Sequence, residues 1–332
     1  MKAVNRSVRR FAMGASLVLG AFSVSAQADT PSSYPDRPIS IVVGYPAGGS
    51  TDLNGRLVAE ALAEKLGGKV VVENLGGAGG AIGAQKVVRA EPDGYTLLVG
   101  AVNEVIIAGL INSAVKYDGV KDLYPLGMVG DQPLLLAASK ESDIKNADDF
   151  VKMAKSGKSD AYSFGSSGVG TALHLAGEMI NTATGAQVLH IPYKGVAPLV
   201  TDLISGQLNL GMFVFSSGFP QVQSGKIIPI GVTSVKRSPL APEVPALAEN
   251  PNFKGVDVSM WFGLFGPNNM PEPVVRKLKT ALGEVLADPV FQEKYKATGG
   301  TVILEQPDLS TFFAAERDKY KKLVDMAGIG IK

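Results

Sequence analysis

The stretch Val42-Val43-Gly44-Tyr45-Pro46-Ala47-Gly48-Gly49-Ser50-Thr51-Asp52 joins a predicted strand to a predicted helix. The β-branched run Ile39–Val43 stops at a loop of proline and glycine, and apolar residues then recur every three to four positions up to Leu66. Ser50, Thr51 and Asp52 are residue types that cap helix N-termini, and Gly67 suits the position after a last helical turn. The stretch therefore predicts a strand, a glycine loop and a helix N-terminus in succession.

This loop has the features of an anion site. The first turn of a helix has unpaired N–H groups and a partial positive charge. Gly48 and Gly49 have no Cβ, so a ligand can approach the backbone closely. An ordinary connection between a strand and a helix has the same local pattern, and no lysine follows the glycines, which excludes a phosphate-binding P-loop.

A second loop repeats the pattern roughly 120 residues later. A predicted strand at 162–164 leads into Gly165-Ser166-Ser167-Gly168-Val169-Gly170, and a helix is predicted from Thr171. Two such loops favour two half-sites that face one ligand. The glycine run at 74–83 places its third glycine, Gly83, one residue too late for the dinucleotide fingerprint, so no nucleotide cofactor is predicted.

Catalytic and metal-binding sets are missing from the sequence pattern. An exported hydrolase would use Ser166 or Ser167 with His174 as its base, but the loop is not a G-x-S-x-G nucleophile elbow. His174 and His190 are the only two histidines and lie on separate predicted elements, so no zinc site is predicted. The absence of cysteine excludes disulfides and thiolate metal sites. We expect a protein with no catalytic residues, no metal and no other cofactor.

The N-terminus has the pattern of an export signal. Four basic residues within the first ten precede an apolar segment at 11–24, and Ala26-Gln27-Ala28 fits a small-residue cleavage site. We predict cleavage after Ala28 and a periplasmic location. Removing four cations and no acids from a chain of net charge +1 leaves about −3, which gives no basic field for nucleic acid. No later apolar stretch has transmembrane length, so no stable membrane insertion is expected.

Strand and helix patterns alternate along the rest of the chain, which predicts an α/β fold with parallel sheets. The remaining length suggests two packed units. The proline-rich segment 237–251 is predicted to be an extended crossing segment. Further strands are predicted at 70–73, 95–99, 134–138, 188–191, 208–215, 227–232 and 258–267, and further helices at 84–90, 148–154, 198–206, 273–287 and 309–327.

Short motifs follow one another in a fixed order along the chain. They are Tyr34-Pro35-Asp36-Arg37-Pro38, Pro46-Ala47-Gly48-Gly49-x-x-Asp52, Val72-Glu73-Asn74, Gly77-Ala78-Gly79-Gly80, Pro92-Asp93-Gly94-Tyr95-Thr96-Leu97-Leu98, Gly165-x-x-Gly168, His174-Leu175-Ala176, Pro192-Tyr193-Lys194-Gly195, Trp261-x-Gly263 and Ala327-Gly328. With these motifs, the chain resembles the Bug-type periplasmic solute-binding proteins of tripartite tricarboxylate transporters.

The resemblance implies a two-domain type II periplasmic-binding-protein (Venus flytrap) fold with the ligand cleft between the domains. We expect a first domain at 29–131 and 260–332, a second at 132–259, and crossover strands near 132 and in 235–259. It further implies a small organic acid as ligand, a membrane permease as partner and a monomer. The predicted ligand-binding residues are Tyr45, Ala47, Gly48, Gly49, Thr51, Asp52, Asn103, Ser166, Ser167, Gly168, Thr171, Tyr193, Gly195, Phe213 and Phe215.

One departure from the family pattern bears on the ligand. Phe213 stands where the family often has an aspartate, and the family often has a serine or threonine near the position of Val102. With Phe215, Phe219 and Tyr45, this predicts an apolar wall and a carboxylate with an apolar or aromatic body. Large apolar residues are normally internal, so the alternative is that these aromatics belong to the core. A sensor for a signalling partner would share the fold and is not distinguished by the sequence.

Overall fold

A computed structural model describes residues 34–331, which form ten strands around which helices pack. The predicted export signal and its cleavage after Ala28 lie outside the described residues. Among residues 34–331, no helix is both long and apolar enough to cross a bilayer. The strands are β1 (Ile39–Val43), β2 (Val70–Asn74), β3 (Thr96–Ala101), β4 (Leu123–Ala138), β5 (Ser163–Ser166), β6 (Leu189–Pro192), β7 (Leu210–Val214), β8 (Ile228–Val232), β9 (Ser259–Pro267) and β10 (Thr301–Val302).

The strands form two sheet regions that share β4. In the first, β1 lies between β2 and β3 with parallel pairing, and β9 joins β3 to β4 with antiparallel pairing. In the second, β5 lies between β6 and β7 with parallel pairing, and β4 pairs antiparallel with both β7 and β8. We call the part built on β1, β2, β3 and β9 the first lobe, and the part built on β5 to β8 the second lobe.

Strand β4 connects the lobes because it changes partners part of the way along. It pairs with β9 as far as Pro133 and with β7 from Leu134 onwards. The predicted domain boundary at 131/132 lies beside this change and stays a prediction, as do the other domain limits. The sheets are mixed, in contrast to the parallel sheets that the alternation predicted, because β9 returns to the first lobe in the opposite direction between β3 and β4.

Eleven α-helices cover these sheets within the described residues. They are α1 (Ser50–Leu66), α2 (Ala81–Val88), α3 (Ala108–Ile111), α4 (Gly119–Asp122), α5 (Ala147–Lys155), α6 (Ala172–Thr184), α7 (Val196–Ile204), α8 (Phe215–Gln223), α9 (Glu272–Ala287), α10 (Pro289–Lys296) and α11 (Leu309–Met326). A single π-helical turn, Asn103–Ile107, precedes α3.

Helix α1, which follows the stretch 42–52 quoted above, ends as predicted but has a different N-cap from the predicted one. Gly67 follows the helix with a φ of 63°, a left-handed conformation that glycine adopts without a Cβ clash, so its predicted place is confirmed. The N-cap is Gly49, with no side-chain cap, whereas Ser50, Thr51 and Asp52 lie inside the first turn. This corrects the predicted cap, and it leaves the first N–H groups of α1 without a side-chain partner.

The core is in two parts. A large cluster extends through both lobes and includes residues of β1, β3, β9 and α6. A smaller cluster lies within the second lobe, where Leu135, Phe213 and Phe215 pack together, with Tyr193 and Val196 against its edge. The segments that follow β1, β5, β6 and β7 contribute residues to the same place, where the lobes face each other.

Candidate functional site

Two adjoining cavities lie between the lobes. The inner cavity has a volume of about 30 Å³, enough for one or two water-sized groups. The outer cavity is wider, at about 990 Å³. Both are lined by Tyr45, Pro46, Ser167 and Gly195, so the inner cavity continues into the outer one. The remaining lining of the inner cavity is Gly49, Ser50, Thr51, Asn103, Leu173, Val196, Val214, Ser217 and Met260.

The N-termini of four helices border the inner cavity. Three of them, α1, α7 and α8, follow the N-cap residues Gly49, Gly195 and Val214, none of which provides a side-chain cap. Each N-terminus concentrates unpaired N–H groups and positive partial charge. None of the described residues that line this cavity is charged. The cavity can therefore hold an anionic group through backbone amides without a cationic side chain.

The fourth helix, α6, has its N-terminus capped by protein groups. The Thr171 hydroxyl accepts from the His174 N–H at 3.4 Å, and the Gly170 N–H donates to His174 Nδ1 at 3.0 Å. The Ala172 N–H donates to Asn103 Oδ1 at 2.8 Å. Ser167, which precedes this cap, lines both cavities. The second loop thus presents Ser167 to the cavities, while the first amides of α6 are already bonded.

The first loop is held by a buried carboxylate. Asp52 Oδ2 accepts from the Gly48 N–H and from Arg56 Nε, both at 3.0 Å, and its Oδ1 accepts from Asn74 Nδ2 at 2.9 Å. Burial alone would raise the pKa of Asp52, but these hydrogen bonds and the Arg56 charge outweigh it and lower the pKa. Asp52 therefore supports the loop from behind, and the Gly48 amide is engaged with it.

The outer cavity has a mostly apolar lining with one cation. Its apolar groups include Ala108, Ile111 and the exposed Val169. Lys194 is the one charged side chain among the described residues that line it. An organic acid with its head in the inner cavity would place its body against these apolar groups, within a space that also contains an ammonium group.

A buried acid lies behind the wall that Tyr45 and Gly80 form. Glu104 is 1 % exposed, and its Oε1 accepts from the Ala101 N–H at 2.9 Å. Burial raises the pKa of Glu104 to about 8, so the protonated form of the carboxyl predominates at pH 7. A Cβ on Gly80 would lie 2.9 Å from Glu104 Oε2 and 3.1 Å from the Tyr45 ring, so only glycine fits between them.

The structure brings eight of the predicted site residues to the cavities. These are Tyr45, Gly49, Thr51, Asn103, Ser167, Gly168, Tyr193 and Gly195. Ala47 and Gly48 are exposed in the first loop but do not line either cavity, and Asp52, Ser166 and Thr171 are buried beneath the loops. For Asp52, Ser166 and Thr171, the structure shows supporting contacts instead of exposure to the cleft.

Phe213 and Phe215 are not at the cleft, which corrects the predicted apolar wall. Both are 0 % exposed and belong to the smaller core cluster. Phe215 stacks on Phe219 with ring centroids 4.6 Å apart, and Phe213 packs under Gly211 and Gly218. Their burial follows from position: Phe213 lies in β7, whose residues are all buried, and Phe215 begins α8 with its ring packed on Phe219.

Ser166 of the second loop lacks the exposure that a nucleophile of a serine hydrolase requires. Ser166 Oγ lies 2.7 Å from His190 Nε2, not beside His174, but Ser166 is 0 % exposed and its hydroxyl donates to the Gly168 carbonyl at 3.0 Å. The His190 ring stacks on His174 at 3.7 Å, and His174 Nε2 lies 3.6 Å from Glu178. Ser166 and His174 are buried, whereas His190 and Glu178 are half-buried, and Ser166 itself has no surface that a substrate could reach.

Several cavity residues were absent from the sequence prediction. Val196 and Lys194 adjoin the predicted Gly195, and their place at a helix start was the available signal. Val214 and Ser217 lie at the start of α8, which was not predicted because the apolar run of β7 continues to Phe215 without a visible break. Leu173, Ile111 and Met260 reach the cavities through tertiary packing alone.

A comparison with protein families identifies one that covers most of the chain. The family model described as tripartite tricarboxylate transporter family receptor matches residues 55–329.

Solved structures of similar proteins share the fold. The periplasmic binding protein BugD is 36% identical, with a TM-score of 0.83 over 90% of this chain and 100% of its own. Rpa4515 of R. palustris, solved with adipate, is 29% identical, with a TM-score of 0.85 over 90% and 99%. MatC of Rhodopseudomonas palustris, solved with bound malate, is 27% identical, with a TM-score of 0.80 over 88% and 100%.

Proposed function

Because the chain belongs to the tripartite tricarboxylate transporter family of receptors, we propose that it captures a small carboxylate between its lobes and delivers it to the membrane permease of such a transporter. The chain acts in the periplasm as a monomer after cleavage at Ala28. The acid has a higher affinity for the closed state and therefore stabilises it. The permease recognises this closed, ligand-bound form.

The family and the fold class that the sequence predicted are both confirmed. The chain has the α/β, two-domain fold of periplasmic binding proteins and belongs with the Bug-type receptors. This family consists of solute-binding receptors, not enzymes. The buried position of Ser166 is in accord with a receptor function.

The meeting of uncapped helix N-termini at the inner cavity is the observation that supports a carboxylate head group. The helices α1 of the first lobe and α7 and α8 of the second begin at its border without side-chain caps. The cavity volume of about 30 Å³ suits a carboxylate and little more. Backbone amides stabilise an anion there with no reorganisation, and the neutral lining offers no competing carboxylate.

The outer cavity supports a ligand with a methylene or aromatic body and a second acid. Ile111, Ala108 and Val169 provide apolar contact, and Lys194 provides one positive charge. Two similar receptors were solved with the dicarboxylates adipate and malate. We therefore assign the α,ω-dicarboxylates as the ligand class, with one carboxylate in the inner cavity and the second near Lys194.

Isothermal titration calorimetry with matched acids tests the assignment. Adipate carries two carboxylates on four methylenes, and hexanoate is the monoacid of the same length. We expect adipate to bind at least tenfold more tightly, about 1.4 kcal/mol, because hexanoate offers no partner to Lys194. Lys194→Met should reduce that ratio, and Lys226→Met, an exposed lysine outside both cavities, should not change it.

Two results would contradict the proposal at different points. Tighter binding of citrate or aspartate than of any acid with an apolar body would reject the assigned ligand class. Failure of every acid in the panel to bind, with intact folding by circular dichroism, would reject carboxylate capture itself.

A further inference from the structure

A chain of hydrogen bonds crosses the cleft between the lobes. The Ala172 N–H, at the start of α6 in the second lobe, donates to Asn103 Oδ1 at 2.8 Å. Asn103 Nδ2 donates to Tyr45 Oη at 2.7 Å, and Tyr45 Oη donates to the Gly79 carbonyl at 2.8 Å. Tyr45, Gly79 and Asn103 follow β1, β2 and β3 of the first lobe. We call these four groups the interlobe chain.

The direction of every bond in the interlobe chain is fixed by its ends. A backbone N–H can only donate, so the Asn103 amide must turn its oxygen towards Ala172. Its NH₂ group then faces Tyr45, whose oxygen accepts that bond and whose proton is free for Gly79. Since the Gly79 carbonyl can only accept, the hydroxyl donates there. The amide orientation of Asn103 is therefore determined by the backbone, and each group in the interlobe chain has a partner.

Because the interlobe chain is buried, breaking its hydrogen bonds should cost free energy. Asn103 is 3 % exposed, so its amide would be costly to leave without partners. Burial, with the nearby Glu104 as a lesser cause, also raises the pKa of Tyr45 well above its usual value, which keeps the hydroxyl protonated and able to donate. Within the interlobe chain, the bond from the Ala172 N–H to Asn103 is the one that crosses from the second lobe to the first. Separating the lobes breaks it and exposes both partners to water.

We infer that Asn103 and Tyr45 set the affinity of this receptor by stabilising the closed cleft, acting alike on every ligand instead of recognising one. This rests on the proposed function, because it concerns closure around the captured acid. The interlobe chain keeps part of the protein closed without ligand. Affinity then scales with the closed fraction, whatever the shape of the acid.

Dye-labelled protein measures closure directly. The sequence has no cysteine, so Lys69→Cys in the first lobe and Lys158→Cys in the second, both exposed, give a clean labelling pair. Single-molecule energy transfer without any acid should show a closed population in the parent protein. Tyr45→Phe, which removes one oxygen atom, and Asn103→Leu should each lower the closed-to-open ratio about five- to tenfold.

The double variant distinguishes a connected chain from two separate contacts. Since either change interrupts the interlobe chain, Tyr45→Phe with Asn103→Leu should lower the closed-to-open ratio little more than one change alone. Tyr117→Phe is the matched control. Its buried hydroxyl donates to the Glu104 carbonyl within the first lobe at 2.8 Å, so the closed population should stay as in the parent.

Titration with adipate and with pimelate adds the effect on binding. Both affinities should fall by the same factor as the closed fraction that energy transfer measures. An unchanged closed population, a parent protein that is entirely open, or additive effects in the double variant would overturn the inference. Losses that differ between the two acids would instead make Asn103 a ligand contact. The energy-transfer result without ligand stands even if neither acid binds, so failure of the proposed function is seen separately.

Discussion

His190 lies in surroundings that oppose its protonation. Burial, and to a lesser extent the positive charge that His174 can carry at 3.7 Å ring separation, lower the pKa of His190 from 6.5 to about 3, while Glu178 acts in the opposite direction. The Phe164 ring packs against the His190 ring with centroids 5.0 Å apart, and Ser166 Oγ is hydrogen-bonded to His190 Nε2. In the folded protein the ring is neutral throughout the range in which an unfolded histidine takes up a proton.

The stability of the protein should therefore fall on acidification through this residue. Because the folded pKa is the lower one, the unfolded state binds the extra proton below about pH 6.5, and stability is progressively lost as pH falls towards 3. The slope approaches about 1.4 kcal/mol per pH unit for one proton. Urea unfolding between pH 5 and 7 should show a smaller slope for His190→Gln than for the parent protein. Equal slopes would mean that His190 titrates alike in both states.

At the scale of single elements, the loop before α1 depends on Asp52, whose side chain lines neither cavity. Asp52 bonds to Gly48, Arg56 and Asn74 at once. We expect Asp52→Ala to lower the free energy of unfolding by about 1.5–3 kcal/mol, the range for hydrogen bonds to a charged group. Ligand affinity should fall as well, because the loop loses its fixed shape.

Chemical denaturation at pH 7 measures the effect of Asp52→Ala. Since the folded pKa of Asp52 is lowered, its contribution is present above the ordinary aspartate pKa and is lost as the pH falls below it. Glu272→Ala, which removes an exposed ion pair with Arg276 on α9, is the control and should change stability by less than about 0.5 kcal/mol. A similar, small effect of both changes would show that Asp52 does not hold the loop.

The elements that sequence patterns predict well are those with local causes. The β-branched run of β1 and the left-handed Gly67 after α1 are read within a few residues. The first part of β4 was missed because Pro125, Gly127 and two irregularities of register interrupt its pattern. Helix α8 was missed because it begins at Phe215, inside an apolar run that resembles a strand.

The site was predictable to the extent that it depends on helix N-termini. The loops before α1 and α6 were identified from glycine and hydroxyl residues, whereas the caps that engage α6 come from Asn103 and His174, on other turns of the chain. The starts of α7 and α8 reach the same cavity through the packing of β6 and β7. Such convergence is a property of the tertiary structure, so local spacing contains no signal for it.

On the scale of the whole molecule, β4 belongs to the sheets of both lobes and should couple their stabilities. Asp131 pairs with Trp261 of β9 in the first lobe, and Leu135, four residues on, pairs with Phe213 of β7 in the second. Trp261 is the only tryptophan and is 4 % exposed, so its fluorescence reports on the first lobe. Phe213 is fully buried in the core of the second lobe.

A substitution that destabilises one lobe should therefore lower the unfolding midpoint of the other. We expect Phe213→Ala to lower the free energy of unfolding by about 3–5 kcal/mol through the cavity it leaves. Trp261 fluorescence and far-UV circular dichroism should shift together along the urea axis, because the strand that Phe213 packs against continues beside Trp261. Phe213→Leu gives the same test with a smaller loss if the alanine variant is poorly folded. Val169→Ala, at the exposed mouth of the outer cavity, should weaken binding of an apolar acid without moving either transition. If the Trp261 transition stays in place while the circular dichroism divides into two steps, the lobes unfold separately. If Phe213→Leu changes which acid binds most tightly, Phe213 contacts the ligand.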